Sequence, residues 1–317
     1  MKRNGPVVAT WFSTHYSYNQ RDFKLIKKYG NPYHPSLGYY NSGDPDIMKT
    51  QLKWIRRSGI DVTLCSSYGC YGKKPPDLLN DKALRLLMRV LENQDNEKRK
   101  LYFAIDLESY ADTPTLEEYR ISLDFIEKEV VDHPYYFKHR DKPFIMLYIN
   151  DLIPETISTI NKEFPAFTYQ KVSGERINPE YSAYIEEYPQ ELKDDWMPVS
   201  PGFDSSLEEI YLRDLYIESD DEGQKKIIRK YFNDINSTIE DIRSNPNHKE
   251  DWKGGETFKK QLTRAYKHKP EIIFISGWND WQFGNQIEPA MEYGFKYVDM
   301  TAEILERVEE TESYRDE

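Results

Sequence analysis

Seven β-rich apolar runs recur along the chain with helix-patterned segments between them, and this alternation restricts the fold more than any other feature. They are residues 6–13 (PVVATWFS), 60–66 (IDVTLCS), 101–107 (LYFAIDL), 143–149 (PFIMLYI), 166–172 (AFTYQKV), 196–200 (WMPVS) and 271–277 (EIIFISG). Near-continuous apolar strands alternating with helices imply a parallel sheet covered on both faces. Residues 184–188 are a poor candidate for an eighth strand. Helix signals fit between the runs. Asp44-Pro45 supplies an N-cap and a first-turn proline. Met48, Leu52 and Ile55 then share a face, and Gly59 stands where a helix end wants a positive φ. Thr113 or Thr115 opens a segment running through Glu129, and residues 290–308 read as an amphipathic closing helix. Residues 175–193 and 218–224 read as insertions or irregular loops.

Two architectures accept such a run of β–α units: a closed (β/α)8 TIM barrel and an open doubly wound sheet. The open sheet usually carries a glycine-rich phosphate loop after its first strand. Here the first strand runs into Ser13-Thr14-His15-Tyr16, and no phosphate-binding loop occurs elsewhere. The expectation is therefore an α/β protein of the (β/α)8 TIM barrel class. With no repeat, linker or low-complexity boundary, residues 1–317 are expected to form a single domain.

In such a barrel the functional side chains collect where strands end, at the C-terminal face. Reading off those ends gives His15 and Tyr16, then Ser66, Ser67 and Tyr68, then Asp106, Glu108 and Tyr110. Asp204 follows the sixth run, and Trp278-Asn279-Asp280-Trp281 follows the last. Carboxylates and aromatic rings dominate, which suits a saccharide with its apolar ring face and hydroxylated rim. Tyr at 25 and Trp at 6 strengthen that reading, although most of these rings must be ordinary packing residues. Glycoside cleavage needs one carboxyl to protonate the departing oxygen and another as base or nucleophile. Glu108 and Asp106 lie two apart on a strand and so point to the same side of the sheet. The alternatives for them are an interior ion pair or a helix cap. From Trp278 to Glu288 the chain holds two tryptophans and six acid or amide side chains, costly to bury without a ligand or one another.

Other chemistries find little support. A net charge of −12 disfavours nucleic acid as a partner. No stretch approaches the ~18 apolar residues of a membrane span, so no membrane insertion is expected. Cys65 and Cys70 have no zinc spacing and are too few for a disulfide framework, so free thiols are expected. No Ser-His-Asp set and no metal cluster assembles, and no metal or cofactor is expected. The opening Met-Lys-Arg-Asn-Gly carries no signal-like apolar run, which suggests a cytoplasmic protein, or a secreted one already trimmed. Nothing in the sequence addresses oligomeric state.

Four stretches together resemble glycoside hydrolase family 99, which contains endo-α-mannosidases, and its relatives described as polysaccharide-biosynthesis glycosyltransferases. Tyr33-His34-Pro35, continuing through Gly38, Tyr40, Ser42 and Asp44-Pro45, resembles the family's P-x-x-G-x-Y-x-S-x-D-P run. Phe103 to Tyr110 resembles the strand bearing its E-P-Y glutamate, and Lys142-Pro143 resembles the next strand's opening. Trp278-Asn279-Asp280-Trp281 with Gln286-Ile287-Glu288-Pro289 resembles W-N-E-W-x-E-G-x-x-I-E-P. The resemblance implies a (β/α)8 barrel and metal-independent, retaining cleavage within mannose-containing glycans. The sugar's own 2-hydroxyl would act as internal nucleophile, served by an acid/base pair of carboxylates. It makes Glu108 one member of that pair and places Asn279 and Glu288 in the sugar pocket. Asp280, Asp112 and Asp106 are candidates for the second carboxylate. The substrate-binding set is His15, Tyr16, Tyr68, Tyr110, Asp204, Trp278, Asn279, Trp281 and Glu288. The chain departs from the pattern at Ser109 (proline in the family), Asp280 (glutamate) and Gln282-Phe283, where a carboxylate is lost. These changes bear on mechanism, because a shift of ~1 Å can cost ~10²-fold in rate. A glycosyltransferase-like enzyme and a catalytically weakened sugar-binding barrel are the alternatives to a hydrolase.

Overall fold

The computed structural model describes residues 5–17, 21–67, 75–94, 97–108, 116–148, 154–172, 196–204, 206–229, 236–244, 249–250 and 253–313. The chain divides into two compact units, Met1–Ser17 with Tyr40–Arg176, and Tyr18–Tyr39 with Ile177–Glu317.

The first unit is built on parallel strands β1 (Val7–Phe12), β2 (Val62–Ser67), β3 (Tyr102–Leu107), β5 (Lys142–Tyr148) and β6 (Thr168–Val172), with a short antiparallel β4 (Lys138–His139) against β5. The pairing runs β1 to β2, β2 to β3, β3 to β5 and β5 to β6. All six residues of β2 and the last five of β3 are buried, as expected of strands covered on both faces. Between β1 and β2, helix Pro45–Arg57 starts as the sequence suggests: Asp44 Oδ1 accepts from the backbone N–H of Asp46 (2.8 Å) and Ile47 (3.3 Å). Met48, Leu52 and Ile55 bury one face, and Gly59 takes a φ of 82° just past the helix end.

Two side chains at the opposite end of this sheet fix where β3 enters. The Gln94 amide grips both backbone groups of Leu101, donating to its O at 2.8 Å and accepting from its N at 2.9 Å. Asp61 accepts from Val8 N at 3.0 Å and pairs with Arg99 at 2.9 Å, while its own carbonyl accepts from Tyr102 N. With the strand starts tied together, the register of β3 sets what its far end presents.

The second unit pairs β7 (Trp196–Val199) with β10 (Ile272–Ile275) in parallel, and a two-residue β8 (Phe203–Asp204) antiparallel to β9 (Lys249–Glu250). Helix Glu256–His268 leads into β10 and buries Phe258, Leu262, Ala265 and Tyr266. All seven apolar runs are strands. The 184–188 candidate and the whole 175–193 stretch lie outside the described residues. The 218–224 stretch is irregular only between helix Ser206–Glu218 and helix Glu222–Ile228.

One boundary differs from expectation. The closing helix spans Lys296–Ser313, not residues 290–308. The intervening backbone has other bonds to make: Met291 N donates to His34 O, Ser36 N donates to Pro289 O, and Gly294 turns with a φ of 56°. These tertiary pairings outweigh helix propensity until the turn is complete. Among the described residues no helix is long and apolar enough to cross a membrane.

Candidate active site

At the end of β3 the first unit presents two carboxyl groups on one face of the strand. Parallel pairing sets Asp106 beside Ser66 of β2 and Met146 of β5. Glu108 lies two residues further, and its backbone N–H donates to Ser67 O at 2.8 Å. Asp106 is 0% exposed and Glu108 7%, so the pair has been taken almost wholly out of water. Burial pushes the Asp106 carboxyl well above the usual carboxylate range, and the Glu108 charge and its hydrogen bond raise it further. Among the described residues neither Asp106 oxygen receives a hydrogen bond from a permanent donor.

The wall around this pair is ordered by polar contacts. Trp11 Nε1 donates to Ser66 Oγ at 2.7 Å, and Thr14 Oγ1 donates to Ser66 O at 3.3 Å. His15 and Tyr16 follow directly, their rings stacked at 4.9 Å with 30° between the planes. Tyr16 is fully buried and meets Tyr40 edge-on at 5.8 Å, while its carbonyl accepts from Ser42 N. Its ring packs the segment that the resemblance picked out at residues 35–45. Cys65 is a free, fully buried thiol pushed up to about 12 by desolvation, which leaves it a small apolar residue. Cys70, Tyr68, Tyr110 and Asp112 lie outside the described residues.

The second unit carries the loop that follows β10, and here the sequence dictates a tight closure. Gly277 has a φ of 105°, and a Cβ placed on it would lie 2.3 Å from Asn285 O. Only glycine lets the outgoing and returning limbs approach so closely. Ile287 N and Glu288 N donate back to Trp278 O at 3.0 and 2.7 Å, closing the loop around one 3₁₀ turn, Trp281–Phe283. Trp278, Asn279, Asp280, Trp281 and Glu288 are thereby brought together, all buried. Glu288 Oε2 accepts from Trp281 Nε1 at 2.7 Å, so this carboxylate orients an indole. Asn31 Nδ2 donates to Trp281 O at 2.7 Å, anchoring the same residue from the backbone side.

Asp204 Oδ1 accepts from Ser206 N at 3.0 Å, just before helix Ser206–Glu218. Phe283 lies flat on Phe203, with ring centroids 5.8 Å apart and 6° between planes. That apolar sandwich occupies the step where the resembled motif carries a carboxylate.

Gln286 is the residue that reasoning from sequence passed over. Its side chain is 0% exposed, and among the described residues neither amide atom has a hydrogen-bond partner that meets the usual geometry. An amide buried in this way costs about 1–3 kcal/mol. Gln286→Leu, which removes the polar atoms at similar volume, is therefore expected to raise stability by about that amount in urea denaturation. A loss of stability in that variant would show that the amide has a partner. Its signal in the sequence was its company: the second of two adjacent amides, Asn285 and Gln286, followed by an apolar Ile287 and a glutamate.

Comparison with known proteins agrees with this picture. A family model described as glycosyl hydrolase family 99 matches residues 2–177, and one described as glycosyltransferase WbsX matches residues 235–301. Glycoprotein endo-alpha-1,2-mannosidase of Rattus norvegicus is 24% identical over 318 residues, covering 91% of this chain and 63% of that protein. The Mus musculus protein of the same name is 23% identical, with the same coverage of 91% and 63%. The chain thus spans 63% of the length of these curated relatives. In fold it is similar to the GH99 endo-alpha-mannosidase of Bacteroides thetaiotaomicron, with a TM-score of 0.64 at 13% identity over 97% of this chain and 98% of that one. The α/β class expected from the sequence stands, with parallel strands as in that neighbour, and among the described residues no strand pairing closes the sheet into a barrel. The family match covers more than half of the residues, and the chain belongs to glycosyl hydrolase family 99.

Proposed function

We propose that this protein is a glycosidase that cleaves a mannose-containing oligosaccharide or polysaccharide by carboxylate acid/base catalysis. The observation that carries the proposal is the Asp106–Glu108 pair at the end of β3, in a chain belonging to a glycoside hydrolase family. Two carboxyls in so dry a setting hold their protons unequally, which is how one fold supplies acid and base at the same pH. The relatives named as mannosidases supply the sugar class.

Glu108, next to solvent at the strand end, is the member placed to touch substrate. In the substrate-assisted route that the family resemblance implies, it would take the proton of the sugar 2-hydroxyl as that oxygen attacks C1. The departing glycosidic oxygen would take its proton from a second acid.

One observation favours a second reading. Phe283 stands stacked where the motif elsewhere has a carboxylate, which fits a protein that binds sugar and turns it over slowly or not at all. Incubation with mannose-, glucose- and galactose-containing oligosaccharides, followed by product analysis, separates the two. Cleavage confined to mannosides is the expected result. Saturable binding without any cleavage would leave the binding protein, and absence of both would end the carbohydrate proposal.

A further inference from the structure

The Asp106–Glu108 pair holds more than two acids side by side. Asp106 is the more deeply buried member, and among the described residues neither of its oxygens is offered a hydrogen bond by any backbone N–H, hydroxyl, amide or cation. Among the described residues the Glu108 carboxyl, two residues on along the same face of the strand, stands as its hydrogen-bonding neighbour. Two ionised carboxylates can only accept, so a hydrogen bond between them exists only if a proton lies in it. The other titratable group beside Asp106 is the Cys65 thiol on β2, which burial keeps neutral. Its neighbours in register, Ser66 and Met146, carry no charge.

We propose that Asp106 is protonated in the folded protein and donates that proton in a hydrogen bond to Glu108, holding Glu108 as the anion. Asp106 is then a positioning residue: its carboxyl orients and charges Glu108 and makes no contact with the bond being broken. The proton assignment stands on burial and donor count alone, and the role of Glu108 as base rests on the glycosidase reading. Of the two members the shielded one keeps the proton, because the ionised form gains more from what water remains at the strand end. Protonation also makes the pair a single negative charge in place of two, with one strong O–H···O⁻ bond between its members.

Proton linkage gives the first test. A carboxyl whose proton is held more tightly in the folded than in the unfolded chain supports the fold fully below the ordinary carboxylate range. That support is lost as pH rises toward the folded value. Asp106→Asn, which keeps an N–H toward Glu108 but cannot titrate, is therefore expected to gain stability over the wild type as pH rises from about 4 to 8. The gain in folding constant approaches about tenfold per pH unit, the slope for one proton. Infrared spectra in heavy water at neutral pH should show an un-ionised carboxyl band in the wild type that Asp106→Asn removes. Parallel stability profiles together with no such band would overturn the proposal.

The activity arm concerns the acid limb of the pH–rate profile. Asp106→Leu strips Glu108 of its donor and should move that limb upward by about one pH unit or more. Asp106→Asn, with a donor retained, should move it less. Equal displacement by both variants would overturn the donor role. If no glycan is turned over by any form, the glycosidase reading fails while the spectroscopic and stability arms still decide where the proton lies.

Discussion

Glu108→Gln is expected to lower kcat/KM on a cleavable mannoside by about 10²- to 10⁴-fold, the range that general acid–base catalysis contributes. That corresponds to roughly 2.7–5.5 kcal/mol of transition-state stabilisation. The substitution keeps the shape of the side chain and its backbone bond to Ser67, and it removes only the capacity to carry a proton away. Binding of the uncleaved glycan, read by calorimetry, should stay within a few-fold of the wild type. Such a split isolates the lost step as chemistry. Unchanged turnover would remove Glu108 from the mechanism, and a parallel fall in binding and rate would make it a substrate anchor.

Gly277→Ala should produce the largest loss of stability, through geometry alone. The new methyl group would meet Asn285 O at 2.3 Å and Asn285 Oδ1 at 2.5 Å, and the first of these is backbone that cannot swing aside. A φ of 105° adds conformational strain for any residue with a Cβ. Overpacking costs about 1–3 kcal/mol and the backbone strain a similar amount, for a total of roughly 3–5 kcal/mol. Thermal unfolding should fall by several degrees, and the Trp278–Glu288 loop should open with it. An alanine variant melting within a degree of the wild type would show that the two limbs separate easily.

The parts of the fold that were legible are those where local physics and tertiary packing agree. Apolar continuity marked the strands most plainly at β2, β3 and β10, which are buried on both faces and carry no alternation to obscure them. Asp44-Pro45 and Gly59 announced a helix because capping needs little beyond the chain itself. The closing helix was placed too early, since the pairing of residues 289–291 with residues 34–36 joins segments far apart in the chain. The two-residue strands β4, β8 and β9 are too short for any periodicity to show. In the candidate site, residue type and strand-end position brought out Asp106, Glu108 and the Trp278–Glu288 loop. Partnership is a property of the folded chain and stayed hidden. Nothing in the letters says that Glu288 orients Trp281, that Asp204 accepts from Ser206 N, that Phe283 lies on Phe203, or that Gln286 has no partner among the described residues.

The most direct measurement is cleavage of a mannose-containing oligosaccharide in heavy-oxygen water, with mass spectrometry of the products. Hydrolysis by this protein predicts one labelled oxygen at each newly formed reducing end, and none from Glu108→Gln over the same interval. A glycan that is bound and stays whole, or a mannosyl group passed to another sugar without label, would contradict a glycosidase.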